Sequence, residues 1–211
     1  MDAIKRLFYP LGMATLLGFL AILLNYPDGA FRQIDRKAQE LLQGNKFLDA
    51  MSVLADQWMI FAVSIALLLF LWLHRRNYRG MLFVFLSVGA GNALNLLLKQ
   101  VFERQRPDFS HGLETFSFPS SHAMVGLLYL FTLAFFITEN LASRSARWMV
   151  WIIAVALTLL AGLSRVAGNE HYFSDVLAGW FAGYSWFVAV AVWYGLREYF
   201  LRKRHRIEER G

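Results

Sequence analysis

Long apolar runs limit what this chain can fold into more than any other feature of its sequence. Hydrophobic residues make up 57% of the 211 residues. Six runs approach the roughly 20 apolar residues that a membrane-spanning helix needs. They cover residues 8–24, 51–73, 81–98, 122–138, 148–163 and 175–196. We therefore predict an all-α integral membrane bundle of six transmembrane helices, forming a single domain over residues 1–211.

The segment between the first two runs is too polar to cross a membrane. Its apolar residues Phe31, Ile34, Ala38, Leu41 and Leu42 recur near helical spacing, and charged residues fill the other face. This pattern predicts an interfacial helix between the first and second spans. A solvated loop with scattered apolar residues is the alternative.

The distribution of the 21 basic residues predicts the orientation in the membrane. If the amino terminus is cytoplasmic, the short loops obey the positive-inside bias. Both termini are then cytoplasmic, and the other end of the bundle faces the extracytoplasmic side. Thirteen basic residues would lie inside: Lys5, Arg6, Arg75, Arg76, Arg79, Arg144, Arg147, Arg197, Arg202, Lys203, Arg204, Arg206 and Arg210.

Composition also excludes several classes of function. The chain has no cysteine, which rules out disulfides and thiolate chemistry. The net charge is +6, but the sequence has neither a groove-reading motif nor an aromatic stacking platform for nucleic acid. We therefore predict contacts with anionic membrane lipids, no nucleic-acid partner and no obligate protein partner.

Gly179 and Gly183 form a small-residue pair, four residues apart in the last run. Such pairs let two helix backbones approach closely. We predict tight packing inside the bundle, with dimerisation as the alternative.

The first of three polar stretches lies at the end of the third run. Lys99 follows Asn92 and Asn95 by seven and four residues, which places the three side chains on one helical face. Arg106 comes next, and Pro107 ends any helical continuation. Arg binds phosphate bidentately, and Lys adds a compact positive charge. The alternative is that both cations snorkel to the outer interface.

The second stretch, Pro119-Ser120-Ser121-His122, precedes an apolar run and is typical of a helix start with a Ser cap. A helix amino terminus favours an anion, because it presents free N–H groups and a positive dipole end. His122 would lie in the first turn, where it can give or take a proton beside that anion. An ordinary capping turn with an interfacial histidine is the alternative.

The third stretch holds Ser164, Arg165, His171 and Asp175. If the last helix begins a turn early, His171 and Asp175 share a face, and the carboxylate accepts the imidazole Nδ1–H. The Nε2 atom is then free to act as a nucleophile. A metal site is the rival interpretation, but the clustered cations would repel a divalent ion. We predict no metal and no cofactor.

These stretches resemble the phosphatidic acid phosphatase type 2 superfamily, whose pattern is Lys-x6-Arg-Pro, Pro-Ser-Gly-His and Ser-Arg-x5-His-x3-Asp. Ser121 replaces the motif glycine, which either alters the turn or adds a phosphate contact. Glu170 stands beside the expected nucleophile, where it repels an anionic substrate, tunes His171 or points to water; the last is our expectation. The matching residues are Lys99, Arg106, Pro107, Pro119, Ser120, His122, Ser164, Arg165, His171 and Asp175.

The resemblance implies a metal-independent lipid phosphatase or diphosphatase of the bacterial cytoplasmic membrane, with its active site on the extracytoplasmic face. His171 would attack phosphorus to form a phosphohistidine, His122 would transfer protons, and Asp175 would orient His171. Phosphate would bind to Lys99, Arg106, Ser120, Ser121 and Arg165. Undecaprenyl diphosphate and phosphatidylglycerophosphate are the leading substrates. Lipid-to-lipid phosphotransfer and lipid A phosphatase activity are alternatives, and a non-catalytic transporter of anionic lipids is a remote one.

Overall fold

Helices form nearly all of the computed structural model, which describes residues 2–26, 29–107 and 115–208. Besides the α-helices there is a 3₁₀-helix at Met51–Ala55 and a π-helix at Phe85–Ala90. Within the described residues there is no strand, so the all-α prediction is confirmed. The α-helices are α1 (Asp2–Asn25), α2 (Gly29–Leu42), α3 (Lys46–Ala50), α4 (Gln57–Arg75), α5 (Tyr78–Val84), α6 (Gly91–Phe102), α7 (Ser121–Glu139), α8 (Arg144–Ala167) and α9 (Phe173–Glu208).

Five helices of the described chain are long and apolar enough to cross a membrane. They are α4, the continuous α5–π–α6 unit, α7, α8 and the first part of α9, up to Leu196. Helix α1 meets the same criterion only together with α2, and these two helices meet at an angle of 103°. The chain is therefore an integral membrane protein with five or six candidate spans.

The span boundaries differ from those predicted by hydropathy, because polar caps set the helix ends. The run predicted to start at Met51 begins with the 3₁₀-helix, and α4 starts only after Asp56, whose side chain accepts the Trp58 N–H at 2.9 Å. Asn77 likewise caps α5 by accepting the Gly80 N–H at 2.9 Å. Residues 1, 27–28, 108–114 and 209–211 of the predicted single domain lie outside the described residues.

Helix α7 is the central helix of the bundle, and it packs against α6, α8 and α9. Met124 and Leu128 on α7 are fully buried. The contact with α9 is unusually close. A Cβ atom on Gly179 would stand 2.7 Å from the Ser120 carbonyl oxygen, and one on Gly183 would stand 2.9 Å from the Met124 carbonyl oxygen. The predicted packing of this glycine pair inside the bundle is confirmed.

Helix α1 lies antiparallel along α9. The Thr15 and Ser185 hydroxyl oxygens are 2.9 Å apart. A Cβ atom on Gly12 would meet the Val188 side chain at 2.9 Å, and Gly18 lies against Phe181. Residue numbers rise along α1 while those of its partners on α9 fall, so the two helices are antiparallel. These contacts extend over about two helical turns.

Four helix ends meet at one end of the bundle, because consecutive spans run in opposite directions. These are the carboxyl ends of α6 and α8 and the amino ends of α7 and α9. Helices α2 and α3 pack against α8 at this end, and α2 also contacts α9. The three polar stretches of the sequence lie at these four helix ends. The α4–α5 and α7–α8 connections lie at the opposite end.

We expect Gly179→Ala to destabilise the protein, because the added methyl group would force the α7 backbone away from α9. Overpacking of this kind costs about 1–3 kcal/mol. Thermal unfolding in detergent, followed by tryptophan fluorescence, measures the effect. Gly195→Ala on the same helix is the matched control, because no atom lies within 4 Å of its Cβ position. Equal stability of the two variants would contradict the close α7–α9 contact.

Candidate active site

Lys99 points into the bundle instead of snorkelling, so that alternative is wrong. The residue is 4% exposed. Its Nζ atom donates to the Phe116 carbonyl oxygen at 2.5 Å. Gly91, Asn95 and Lys99 form the buried row of α6, each four residues from the next. Asn92 lies one position beside this row and is exposed, which corrects its predicted place on the same face.

Arg106 is also buried, in the segment that follows α6. The helix ends at Phe102, and Glu103 takes a left-handed conformation with φ of 45°, so the helix stops before Pro107 is reached. Arg106 is 8% exposed. Its Nε atom donates to the Thr115 carbonyl oxygen at 2.7 Å, and Nη2 donates to the Thr115 hydroxyl at 2.8 Å. These bonds direct the guanidinium inward.

The amino end of α7 presents a buried hydroxyl and the free N–H groups of a first turn. Ser120 is the N-cap residue, but its side chain does not cap the helix. Its Oγ is buried without a hydrogen-bond partner among the described residues. The Ser121 hydroxyl donates to Asn95 Oδ1 at 2.6 Å, which ties α7 to α6. A phosphate contact by Ser121 stays a prediction.

His122 lies in the first turn of α7 and is partly buried. It is within electrostatic range of Arg165 and His171. Asp56, the cap of α4, is in range as well. The structure therefore brings the second and third polar stretches together around His122.

Helix α9 begins at Phe173, two residues before the predicted start at Asp175, and His171 lies just outside the helix. His171 Nδ1 nevertheless lies 3.5 Å from Asp175 Oδ2. The same carboxylate oxygen accepts the Tyr172 N–H at 3.0 Å, which closes a tight turn between the two residues. His171 is 3% exposed and Asp175 is fully buried. The predicted pair thus forms through a turn before the helix.

The contact of His171 with Arg106 indicates the tautomer of the imidazole. Arg106 Nη1 lies 3.2 Å from His171 Nε2. A guanidinium can only donate, so this contact assigns the acceptor role to Nε2 and the ring proton to Nδ1. Nδ1 lies beside Asp175 Oδ2 but forms no hydrogen bond among the described residues. Burial lowers the pKa of His171 well below its usual value, and the positive charges of Lys99, Arg106 and Arg165 lower it further. The ring is therefore neutral, as a nucleophile requires.

Glu170 does not point to water, and that expectation is wrong. Its carboxylate forms an ion pair with the Arg165 guanidinium, and the two side chains are 17% and 12% exposed. The turn after α8 brings them together, since the Glu170 N–H donates to the Arg165 carbonyl oxygen at 3.0 Å. A guanidinium buried at the end of α8 is stabilised by a nearby carboxylate.

Arg104 is a residue of this site that sequence reasoning missed. Its Nη1 atom donates to Asp175 Oδ1 at 2.6 Å, and its Nη2 atom lies 3.0 Å from Asp35 Oδ2 on α2. The family pattern leaves position 104 unspecified. The available signal was a second arginine two residues before Arg106, in the same polar stretch.

The site as a whole is suited to an anion. Lys99, Arg106 and Arg165 gather around a neutral imidazole, next to the Ser120 hydroxyl and the start of α7. Within residues 2–26, 29–107 and 115–208, no group of three or more His, Cys, Asp or Glu side chains is placed to hold a metal ion. A phosphate group would satisfy the cations, the unpaired hydroxyl and the free helix N–H groups together.

Two curated proteins of Bacillus subtilis (strain 168) are similar to this chain. Phosphatidylglycerophosphatase B is 36% identical over 116 residues, which is 54% of this chain and 57% of that protein. The chain thus matches a little over half the length of this relative. Undecaprenyl-diphosphatase BcrC is 27% identical over 154 residues, which is 69% of this chain and 74% of that protein.

A solved structure has the same fold. It is the crystal structure of a transmembrane PAP2-type phosphatidylglycerolphosphate phosphatase from Bacillus subtilis, which matches with a TM-score of 0.76 and 27% identity. The match covers 86% of this chain and 94% of that one. Residues 80–199, more than half of the chain, match the family model. The chain therefore belongs to the PAP2 superfamily.

Proposed function

We propose that this protein is a membrane lipid phosphatase that hydrolyses a lipid phosphate or diphosphate through a phosphohistidine on His171. One observation carries the proposal: the buried His171 ring has the Asp175 carboxylate 3.5 Å from Nδ1 and the Arg106 guanidinium 3.2 Å from Nε2. Lys99 and Arg165 lie within electrostatic range of the same ring. The names of the similar proteins agree with this activity, since both are lipid phosphatases.

The first chemical step is attack by His171 Nε2 on phosphorus. The bond between phosphorus and the lipid oxygen breaks, and His122 gives its proton to the departing oxygen. For this step His122 must be protonated while His171 is neutral. The substrate brings the negative charge that favours protonated His122. Asp175 holds the Nδ1 proton of His171 and stabilises the positive charge that develops on the ring.

The second step releases phosphate. His122, now neutral, takes a proton from a water molecule, whose oxygen attacks the phosphohistidine. The phosphorus–nitrogen bond breaks, and its electron pair returns to Nε2 of His171. Inorganic phosphate leaves, and both histidines regain their starting protonation states.

Buried cations stabilise the charge that builds up on the phosphoryl oxygens. Lys99 and Arg165 lie around His171, and Arg106 Nη1 lies 3.2 Å from its Nε2 atom. Arg106 must therefore exchange this contact for phosphate oxygens when substrate enters. Once they contact phosphate, these buried donors stabilise the charge of the transition state more strongly than they would in water. The same positive charge disfavours a divalent cation, and we infer that the reaction needs no metal.

We infer that the site opens to the extracytoplasmic face. Helix α1 runs along α9, which supports a sixth span and leaves α2 to lie in the outer interface. Ile34 and Leu41 on α2 are 47% and 81% exposed, as an interfacial helix requires. The α4–α5 and α7–α8 connections, which carry Arg76, Arg79 and Arg144, lie at the end away from the site. The positive-inside bias makes that end cytoplasmic.

The names of the relatives make undecaprenyl diphosphate and phosphatidylglycerophosphate the leading substrates. We expect purified protein in detergent to release phosphate from at least one of them, or from phosphatidic acid, in the presence of EDTA. His171→Ala should abolish the release, because no other group can form the covalent intermediate. A folded His171→Ala variant with near-normal turnover would contradict the proposed mechanism. Loss of wild-type activity in EDTA would mean that the reaction needs a metal ion.

Glu170→Gln should make the site bind inorganic phosphate more tightly. The carboxylate of Glu170 forms an ion pair with Arg165, so an incoming phosphate must displace it. We expect the inhibition constant for phosphate to fall about tenfold, equal to about 1.4 kcal/mol. Glu40→Gln is the matched control, because Glu40 pairs with Arg36 on the exposed face of α2. Weaker phosphate binding by Glu170→Gln would mean that Glu170 assists binding.

A further inference from the structure

Arg104 joins two buried carboxylates that come from different parts of the chain. Its Nη1 atom donates to Asp175 Oδ1 at 2.6 Å and to the Ser174 hydroxyl at 2.8 Å. Its Nη2 atom donates to Asp35 Oδ2 at 3.0 Å. The Arg104 side chain is 11% exposed, and those of Asp35 and Asp175 are 5% and 0% exposed. Charged hydrogen bonds in such a buried setting are strong and directional.

Two aromatic rings hold the Arg104 guanidinium in one place. It stacks over the ring of Tyr172 at 4.2 Å from the centroid and over that of Tyr26 at 4.8 Å. A planar guanidinium suits this arrangement, because it can stack on both rings while its edge donates hydrogen bonds. Lysine has no plane and could not satisfy all of these contacts together.

The two oxygens of Asp175 have separate partners. Oδ1 accepts from Arg104, whereas Oδ2 accepts the Tyr172 N–H and faces His171 Nδ1. Rotation of the carboxylate would break the bond with Arg104. We propose that Arg104 is a positioning residue that holds Asp175 in the rotamer that orients His171, and that Asp35 on α2 anchors Arg104 in turn. This inference rests on the proposed function, in which His171 is the nucleophile.

Asp35 is well placed for the anchoring role. It accepts the Ser174 N–H and the Ser174 hydroxyl, both at 2.7 Å, at the start of α9. Helix α2 thereby contacts the residue that precedes Asp175. Arg104 donates to Asp175 Oδ1, whereas the other oxygen of the same carboxylate, Oδ2, faces His171 Nδ1. The effect of Arg104 and Asp35 on the reaction therefore passes through Asp175.

The test compares Arg104→Gln, Arg104→Lys and Asp35→Asn with wild-type protein in detergent, with dioctanoyl phosphatidic acid as the substrate. We expect Arg104→Gln to lower kcat about 10- to 100-fold with KM nearly unchanged, because a misplaced catalytic pair slows chemistry without weakening binding. Arg104→Lys should recover part of the loss, since its ammonium can still reach Asp175. Arg36→Gln is the matched control, because Arg36 lies on the exposed face of α2, and this variant should behave as wild type.

A structural role alone would give a different pattern. If Arg104 only tied α2 to the bundle, Asp35→Asn would lower kcat as much as Arg104→Gln, because it breaks the same link. The positioning role requires the smaller loss in Asp35→Asn, whose amide oxygen can still accept the Ser174 N–H. Equal losses in these two variants, or a raised KM with unchanged kcat, would overturn the proposal.

A second readout does not depend on turnover. The Nδ1 proton of His171, identified by its absence in a His171→Gln variant, should give a downfield proton NMR signal when it faces the Asp175 carboxylate. We expect this signal in wild type and Arg104→Lys and its loss in Arg104→Gln. An unchanged signal in Arg104→Gln would overturn the proposal. If wild-type protein hydrolyses no lipid phosphate, the proposed function fails, and this signal still decides the role of Arg104.

Discussion

Buried positive charge at one end of the helix bundle is the constraint on which the rest of the structure depends. Four cations lie there in surroundings that are mostly apolar, and an unpaired charge in such a place is strongly destabilising. Each cation has a partner of its own: Lys99 a backbone carbonyl, Arg106 the Thr115 carbonyl and hydroxyl, Arg165 the Glu170 carboxylate, and Arg104 the two aspartates. Only Arg104 is matched by carboxylates on both of its terminal nitrogens.

This difference in pairing separates two roles for the cations. The partners of Lys99 and Arg106 are neutral, so a phosphate dianion can replace them favourably. Arg165 has a charged partner, so a phosphate that binds to it must compete with the Glu170 carboxylate. Arg104 has no reason to leave its two aspartates. In our proposal, the site combines cations that exchange partners for phosphate with Arg104, which keeps Asp175 fixed beside His171.

The close helix contacts place these groups. The Ser120 N–H donates to the Asp175 carbonyl oxygen at 3.1 Å, which joins the start of α7 to the start of α9 directly. Gly179, one turn further along α9, lets the two backbones come this near. A side chain there would separate His122 from His171. Packing between apolar spans therefore determines the distance between the two histidines.

Sequence reasoning predicts the parts of this protein that depend on local pattern. Apolar runs predict the centres of the spans, and the three polar stretches converge on one end of the bundle because alternate helix ends must meet there. Helix boundaries are less predictable, since a single cap such as Asp56 can outweigh hydropathy. Glu170 and Arg104 were not predicted correctly, because their partners depend on tertiary contacts. The pair of Arg104 and Asp35, 69 residues apart, leaves no spacing signal.

The stereochemical course at phosphorus tests the central claim most directly. A lipid phosphorothioate whose oxygen isotopes make its phosphorus chiral would be hydrolysed by the wild-type protein, and the configuration of the released thiophosphate would be determined. Attack by His171 followed by attack of water involves two inversions, so the account predicts net retention of configuration. Net inversion would mean that water attacks the lipid phosphate in one step, and it would contradict the role of His171 as nucleophile.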